Sequence, residues 1–203
     1  KIIIVSSGAI ALGRNILSKK KLTNLHEKQA AASIGQIQLS QQWQKAFAKL
    51  NIQSSQILIT AEDLNERRKY LNIRNTIYSL MDLNVVPIIN ENDTTSTEEI
   101  RFGDNDKLSA MIANALSAEL LILLSDVNGL YTANPKKSLQ AKLITSVEEV
   151  DQQIEKYIDK DLSEFGSGGM LAKINAAKLC IQSGSTMIIS VSYTHLRAHE
   201  TNS

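Results

Sequence analysis

Short aliphatic runs alternate along the chain with longer stretches in which apolar residues recur every three or four positions. The short runs predict strands, and the longer stretches predict helices that pack one face against a sheet. The predicted strands are residues 1–5, 56–60, 85–89, 120–124 and 186–190. The predicted helices are residues 10–17, 27–50, 72–83, 103–116 and 172–183. This order predicts an α/β fold with an open, mainly parallel sheet sandwiched between helices.

The strands at residues 85–89 and 120–124 are apolar throughout, which predicts burial on both of their faces. Pro87 counts against full pairing of the first strand, because proline has no N–H to donate. The remaining segments predict a small hairpin at 94–102, a charged, exposed stretch at 63–69, and a charged, weakly helical and peripheral stretch at 147–160. The glutamines of the helix at 27–50 predict a surface for solvent or another subunit: Gln36, Gln38, Gln41 and Gln42.

Composition narrows the possible classes of protein. The chain has 203 residues and a formal net charge of +1. Its charges are scattered, so we expect no nucleic-acid partner. No apolar run is long enough for a membrane span, and no signal peptide is recognisable. The single cysteine, Cys180, lies in an apolar helical pattern, which predicts a core thiol in a reducing, cytoplasmic setting.

The chain is long enough for one buried core, and we expect a single domain over residues 1–190. Residues 191–203 break the apolar pattern and are expected to be a non-native or disordered tail. His195 and His199 in this tail have helical spacing but no acidic partners, so we expect no metal site there.

Polar residues follow the strand at 85–89 directly, in the sequence NEND at 90–93, and a second cluster, GDND at 103–106, opens the next helix. Open parallel sheets bind ligands at the carboxyl ends of their strands. The clustered carboxylates and amides suit a site that binds an ammonium group, or one that orients bases around a charged transition state. Taken singly, each cluster is equally well a polar loop or a helix cap.

Three further turns could hold an anion or a nucleotide. Ser6, Ser7 and Gly8 join a strand to a helix and offer hydroxyls and N–H groups, although a serine N-cap explains them equally well. Residues 166–169 hold three glycines and a serine just before a helix that carries Lys173, which suits phosphate; a flexible linker is the alternative. Ser125 and Asp126 could face a nucleotide or a metal, or form a simple turn.

Four segments in this order resemble the amino-acid kinase family, and within it the subgroup that phosphorylates L-glutamate. They are SSGAIALG (6–13), NENDTTSTEEIRFGDNDKLSA (90–110), SDVNGLYTANP (125–135) and SGGMLAKINAA (167–177). The resemblance covers the chain from Lys1 to about Ser190. It implies transfer of a phosphoryl group from ATP, with Mg²⁺, to the γ-carboxylate of L-glutamate.

The resemblance also implies roles for individual residues. Ser7, Gly8, Asp93 and Asn105 would bind glutamate, with Asp93 as the partner of its ammonium group. Lys173 would neutralise the transferring phosphoryl group, and Asp106 would orient the lysines. The residues expected at the nucleotide are Ser125, Asp126, Ser167, Gly168, Gly169, Met170, Leu171, Ala172 and Lys173.

Members of the family carry, before the counterpart of Ser7, a strand with a Lys-Gly-Ser/Thr motif whose lysine contacts the phosphates. This chain starts after that motif, so we expect a fragment of a catalytic domain that lacks one central strand and one catalytic cation. The family also implies a homo-oligomer, a dimer or tetramer, with proline as feedback inhibitor. Two alternatives stay open: a sister kinase for another carboxylate or carbamate, and a catalytically dead amino-acid-binding regulatory module.

Overall fold

The computed structural model describes residues 1–19, 21–96, 104–133, 138–152, 154, 157 and 168–191. Its strands are β1 Ile4–Val5, β2 Gln53–Ile59, β3 Val85–Glu91, β4 Leu120–Ser125, β5 Leu130–Tyr131, β6 Leu143–Ile144 and β7 Thr186–Val191. Its helices are α1 Ala9–Ile16, α2 Leu25–Ala48, α3 Ala61–Asn65, α4 Arg67–Asp82, α5 Asp104–Ala115 and α6 Gly168–Ser183. The chain divides into two compact units, Lys1–Leu108 and Ser109–Ser203.

The predicted α/β class with mainly parallel pairing is confirmed. Among the described residues the strands form a three-stranded parallel sheet in the order β1-β3-β2, a parallel β4-β7 pair and an antiparallel β5-β6 pair. In the first unit α2 packs on β2 and α4 packs on β3, which buries side chains of the sheet and of α4. The buried side chains include Ile59, Ile77, Ile88 and Ile89.

Pro87 lies within β3, the central strand of the three, and is fully buried. It is aligned with Ser55 of β2, whereas the pairing with β1 covers only Ile88 and Ile89. At Pro87, β3 therefore pairs with β2 but not with β1 in the described structure. The missing N–H of proline can affect hydrogen bonding to one neighbouring strand only. The strand predicted at 85–89 is confirmed and continues to Glu91.

Several predicted boundaries in the first unit need correction. The strand predicted at 56–60 is β2, Gln53–Ile59, because the Thr60 side chain accepts a hydrogen bond from the Asp63 N–H and caps α3. The stretch 63–69, predicted to be charged and exposed, is exposed from residue 65 to residue 69, and it contains part of α3 and the start of α4. Arginine and lysine are good helix formers, so these charged residues extend the helix without needing an apolar face.

The second unit places α6 against one face of the β4-β7 pair. Its core is Ala110, Leu123, Ala176 and Cys180, with Leu121, Leu179 and Met187 packed around them. Cys180 is fully buried, as predicted, and burial raises the pKa of its thiol. Leu130, Ile154 and Ile174 form a second cluster in the same unit.

The prediction that β4 is buried on both faces is wrong. Leu120, Ile122 and Leu124 are 46%, 52% and 69% exposed, whereas Leu123 is 6% exposed. Successive side chains of a strand point to opposite faces, so one face of β4 meets α6 and the described residues leave the other largely uncovered.

Other predicted features lie partly or wholly outside the described residues. The hairpin at 94–102 is described only to residue 96, where Thr95 and Ser96 donate backbone N–H groups to the Asn92 carbonyl in a turn. The stretch 147–160 is described in part, and the tail beyond residue 191 is not. No helix in the part of the chain that the structure describes combines the length and apolarity of a membrane span.

The helices α1 and α2 cross with their backbones in close contact. Gly13 of α1 faces the carbonyl group of Ala31, and Gly35 of α2 faces the carbonyl group of Ala9. A Cβ atom on either glycine would overlap the facing carbonyl oxygen. Ala31 and Ala32 are also buried, so small side chains let the two backbones come this close.

We predict that Gly35→Ala destabilises the first unit by at least ~3 kcal/mol, because the new methyl group meets backbone that cannot turn aside. Urea unfolding followed through Trp43, the single tryptophan, measures this change. Gly169→Ala is the matched control, since a Cβ there meets no atom within 4 Å. Equal unfolding midpoints for Gly35→Ala and the unsubstituted protein would rule out the close crossing.

Candidate active site

The first unit brings two of the predicted polar segments to one edge of its sheet. The Ser6 N–H donates to the Ile89 carbonyl at 2.8 Å, which extends the β1-β3 pairing by one step. Ser7 and Gly8 therefore follow the end of β1, and Asn90 lies at the end of the neighbouring strand. This arrangement is the one expected for a ligand site at the carboxyl ends of parallel strands.

Gly8 is the N-cap residue of α1 and has a φ of 105°, in the left-handed region that L side chains rarely adopt. No side chain caps this helix, so the alternative interpretation of the turn as a serine N-cap is wrong. Ser7 is exposed. The turn keeps the Ser7 hydroxyl and the first N–H groups of α1 available to an anion.

Ser6 has a structural role that its exposed neighbour does not share. It is buried, and its Oγ accepts a hydrogen bond of 2.8 Å from Nε1 of Trp43 on α2. The Trp43 ring stacks on Phe47, with 6.0 Å between ring centroids. This contact ties α2 to the end of β1 and fixes the position from which the Ser7–Gly8 turn starts.

The two acid-amide clusters meet through their asparagines. Asn90 is 2% exposed, and its Nδ2 donates to Oε1 of Gln36 at 2.8 Å. Asn105, at the start of α5, donates from Nδ2 to Oδ1 of Asn90 at 3.4 Å. Asn105 Oδ1 is buried and has no hydrogen-bond partner among the residues described. A buried acceptor in this state is available to a donor that the protein does not supply.

Gln36 was expected on a solvent or subunit surface and instead lies half-buried beside Asn90. It comes four residues after Ala32 and three before Leu39, both of which are buried. Residues with these spacings share a helix face, so the periodicity of α2 could have placed Gln36 against the sheet. The prediction of a solvent or subunit surface rested on the polarity of the Gln36 side chain alone.

Asp93 lines a cleft of about 280 Å³ in the first unit. The cleft also contains Gln36 from α2 and Glu91, Asn92 and Thr94 from the end of β3 and the turn after it. Two acidic residues, Glu91 and Asp93, therefore line this cleft, a composition that favours a cationic group such as an ammonium. Glu91 stood in the polar cluster of the sequence but was not singled out as a site residue.

The residues expected at the nucleotide belong to the second unit. Ser125 ends β4, and its Oγ donates to Oδ1 of Asp126 at 3.2 Å. Gly169 lies in the first turn of α6, and a Cβ built there would meet no atom within 4 Å. A helix N-terminus of this kind presents backbone N–H groups that suit a phosphate.

The remaining residues of this turn differ in what they can offer. Lys173 is half-buried on α6. The Met170 side chain packs against the cluster of Leu130, Ile154 and Ile174, so its backbone is the part suited to a nucleotide. Leu171 is 37% exposed and Ala172 is half-buried, whereas Ser167 lies outside the described residues. Gly168 is the first residue of α6, so the predicted helix at 172–183 begins earlier than expected.

Asp106 lies on α5 in the first unit, and Lys173 lies in the second. Among the described residues, no group of three or more histidine, cysteine, aspartate or glutamate side chains could hold a metal ion.

Comparison with known proteins finds a matching family model and close relatives in sequence. The profile described as "Amino acid kinase family" matches residues 1–190. The glutamate 5-kinase of Nitrosospira multiformis is 49% identical over 191 residues, which are 94% of this chain and 51% of that protein. The glutamate 5-kinase of Pelagibacter ubique is 51% identical over 191 residues, which are 94% of this chain and 52% of that protein. The chain thus spans about half the length of the curated relatives it matches.

Solved structures of lower identity share the fold. An isopentenyl phosphate kinase of T. acidophilum superposes with a TM-score of 0.55 at 13% identity, covering 86% of this chain and 66% of that one. The uridylate kinase of Archaeoglobus fulgidus gives 0.56 at 12% identity, covering 100% of this chain and 80% of that one. At these identities the likeness establishes the architecture and carries no information about the substrate.

We predict that Ser6→Ala lowers the free energy of unfolding by ~1 kcal/mol or more, because it leaves the Trp43 indole N–H without its acceptor. The emission maximum of Trp43 should shift at the same time, which fluorescence measures directly. Ser33→Ala is the control, because the Ser33 hydroxyl bonds only within its own helix, to Ala30, in the interactions described. Unchanged stability and emission in Ser6→Ala would show that this hydrogen bond does not form.

Proposed function

The chain belongs to the amino acid kinase family, and we propose that it forms the catalytic part of a glutamate 5-kinase. The reaction is ATP-dependent phosphorylation of the γ-carboxylate of L-glutamate to L-glutamyl 5-phosphate, the first step of proline biosynthesis. The glutamate 5-kinases of N. multiformis and P. ubique, at 49% and 51% identity, support this substrate. The observation that carries the proposal is the carboxylate-lined cleft at Asp93, with the amide network that joins the two polar clusters beside it.

The first unit has the chemistry to hold an amino acid. Glu91 and Asp93 suit the α-ammonium group, because two carboxylates in a cleft attract a cation that has left bulk water. The Ser7 hydroxyl and the N–H groups that follow Gly8 suit a carboxylate of the substrate. Asn105 Oδ1 adds an acceptor for a further N–H donor.

The second unit has the chemistry to hold the phosphates of ATP. The first turn of α6 offers backbone N–H groups at Gly168 and Gly169, and Lys173 adds a positive charge on the same helix. Ser125 and Asp126 at the end of β4 provide hydrogen-bonding groups for the nucleotide. A purely amino-acid-binding regulatory module would not need such a phosphate cradle.

The transfer itself needs no protein nucleophile. An oxygen of the γ-carboxylate attacks the γ-phosphorus of ATP, the new O–P bond forms, and the bond to the β-phosphate oxygen breaks as ADP leaves. Catalysis of this kind of step is positioning and charge neutralisation, and we assign the neutralisation to Lys173. Asp106 is proposed to orient the cationic side chains around the phosphates.

Mg²⁺ is proposed to accompany ATP, with most of its ligands supplied by phosphate oxygens and water, as is usual for this ion. When bound, the ion would supply charge neutralisation at the phosphates.

Several wider properties belong to the same proposal. We propose feedback inhibition by proline, a homo-oligomer (dimer or tetramer) and a cytoplasmic location, all on the strength of the resemblance to glutamate 5-kinases. We also propose that the catalytic domain covers residues 1–190 and that residues 191–203 are not part of it.

We predict that these residues support glutamate phosphorylation within a full-length relative. In the experiment, residues 1–190 replace the matching segment of the N. multiformis glutamate 5-kinase, and γ-glutamyl phosphate is trapped as the hydroxamate. The chimera should form product only with ATP, Mg²⁺ and L-glutamate together. Lys173→Met should lower its kcat by ~100-fold or more, because one preorganised charge is lost at the phosphoryl group.

Lys178→Met, on the same helix but outside the glycine turn, is the matched control and should retain activity. A chimera that folds and binds ATP but makes no product from L-glutamate would contradict the substrate. Product from another carboxylate or from carbamate would then identify a sister kinase. Binding of L-glutamate without binding of ATP would instead favour the regulatory module.

A further inference from the structure

Gln36 connects the Asp93 cleft to the substrate residue Asn105 without belonging to either polar cluster of the sequence. It lines the cleft together with Asp93, and its Oε1 accepts the hydrogen bond from Asn90 Nδ2 at 2.8 Å. Asn90 in turn accepts from Asn105 Nδ2 through its Oδ1. The three carboxamides form a chain that begins on α2, crosses the end of β3 and ends at the start of α5.

Every carboxamide has a donor end and an acceptor end, so the three side chains must all run in the same direction along the chain of hydrogen bonds, and reversing one of them alone breaks a bond. Turning Asn105 over would set its Oδ1 against Oδ1 of Asn90, two acceptors with no hydrogen between them. Turning Asn90 over would also set its Oδ1 against Oε1 of Gln36. The group that Gln36 presents to Asn90 therefore decides which end of Asn105 points away from the chain.

In the observed direction Asn105 ends the chain with its Oδ1. This oxygen is buried and has no partner among the described residues. An acceptor that must lose water to be buried costs stability unless a donor reaches it. A substrate ammonium group is such a donor, whereas a substrate carboxylate would be repelled by this oxygen.

We propose that Gln36 is a positioning residue: through Asn90 it holds the Asn105 carboxamide with Oδ1 towards the substrate, as an acceptor for the α-ammonium group. The substrate part of this inference rests on the proposed function, while the orientation of Asn105 does not. Recognition of the ammonium group then comes from the carboxylates of the cleft and from an amide oxygen whose direction is set on another helix. Substrates that lack the amino group gain nothing from that oxygen.

Two substitutions separate the acceptor role of Gln36 from its shape. Gln36→Met keeps the length of the side chain and removes its hydrogen bonds. Gln36→Glu keeps an acceptor for Asn90 Nδ2 and should preserve the direction of the chain. Gln38→Met is the matched control, because Gln38 lies exposed on the same helix.

The first readout needs no ligand. The side-chain NH₂ resonances of Asn105, assigned by ¹⁵N NMR of this chain, report whether its carboxamide is held in one orientation. We expect them to move towards the values of a freely rotating amide in Gln36→Met and to stay in place in Gln36→Glu and Gln38→Met. Unchanged Asn105 resonances in Gln36→Met would overturn the inference, whatever the protein's substrate is.

The second readout compares ligands by calorimetry. Gln36→Met should weaken L-glutamate binding by about tenfold, the effect of losing one hydrogen bond to a charged group, and should leave glutarate, which has no amino group, unchanged. Equal losses for the two ligands would show that Gln36 does not act through ammonium recognition, and would overturn the proposal. Absence of L-glutamate binding in the unsubstituted chain, with the expected NMR changes, would contradict the proposed substrate and leave the orientation of Asn105 established.

A double-mutant comparison tests whether Gln36 acts through Asn105 or touches the ligand itself. If it acts through Asn105, Gln36→Met added to Asn105→Ala should cause no further loss of L-glutamate affinity, because the group it orients is already gone. A further loss of about tenfold in that background would show direct contact and would overturn the positioning role.

Discussion

The close crossing of α1 and α2 is the constraint on which the first unit depends. Glycines at positions 13 and 35 allow each helix to touch the backbone of the other, which ordinary side chains would prevent. The crossing sets α2 close to the end of β1, where Trp43 holds Ser6, and it places Gln36 beside Asn90 at the end of β3. The crossing is thus followed by two hydrogen bonds that tie α2 to the ends of β1 and β3, beside the candidate substrate residues Ser7 and Asp93.

Burial of amides, more than burial of charge, organises the candidate substrate site. Asn90 is almost completely buried, and its side chain is satisfied by a neighbour at each end. A buried carboxamide without partners would cost several kcal/mol, so the chain of amides both stabilises this region and fixes its direction. Asn105 Oδ1 is left buried without a partner among the described residues, and such an atom is a reason to look for a ligand.

Much of the architecture could be predicted from the sequence, because strands and helices differ in the period of their apolar residues. The strand at 85–89, the parallel pairing and the buried Cys180 were predicted in this way. The exposed face of β4 could not be predicted from the sequence. Leu120, Ile122 and Leu124 are as apolar as core residues, and only the packing partner decides which face is covered. The role of Gln36 was missed for a related reason. A polar side chain on a helix is expected to face solvent, and its partner Asn90 is distant in the sequence.

Hydrogen–deuterium exchange of the chain with each ligand separately tests the central claim, that the substrate and nucleotide groups lie in different units. L-Glutamate should slow exchange at residues 6–9, 90–96 and 104–106, and a non-hydrolysable ATP analogue should slow exchange at residues 125–126 and 168–173. Slowing confined to these separate sets would support the account. Protection by L-glutamate that misses all three segments of the first unit would contradict it.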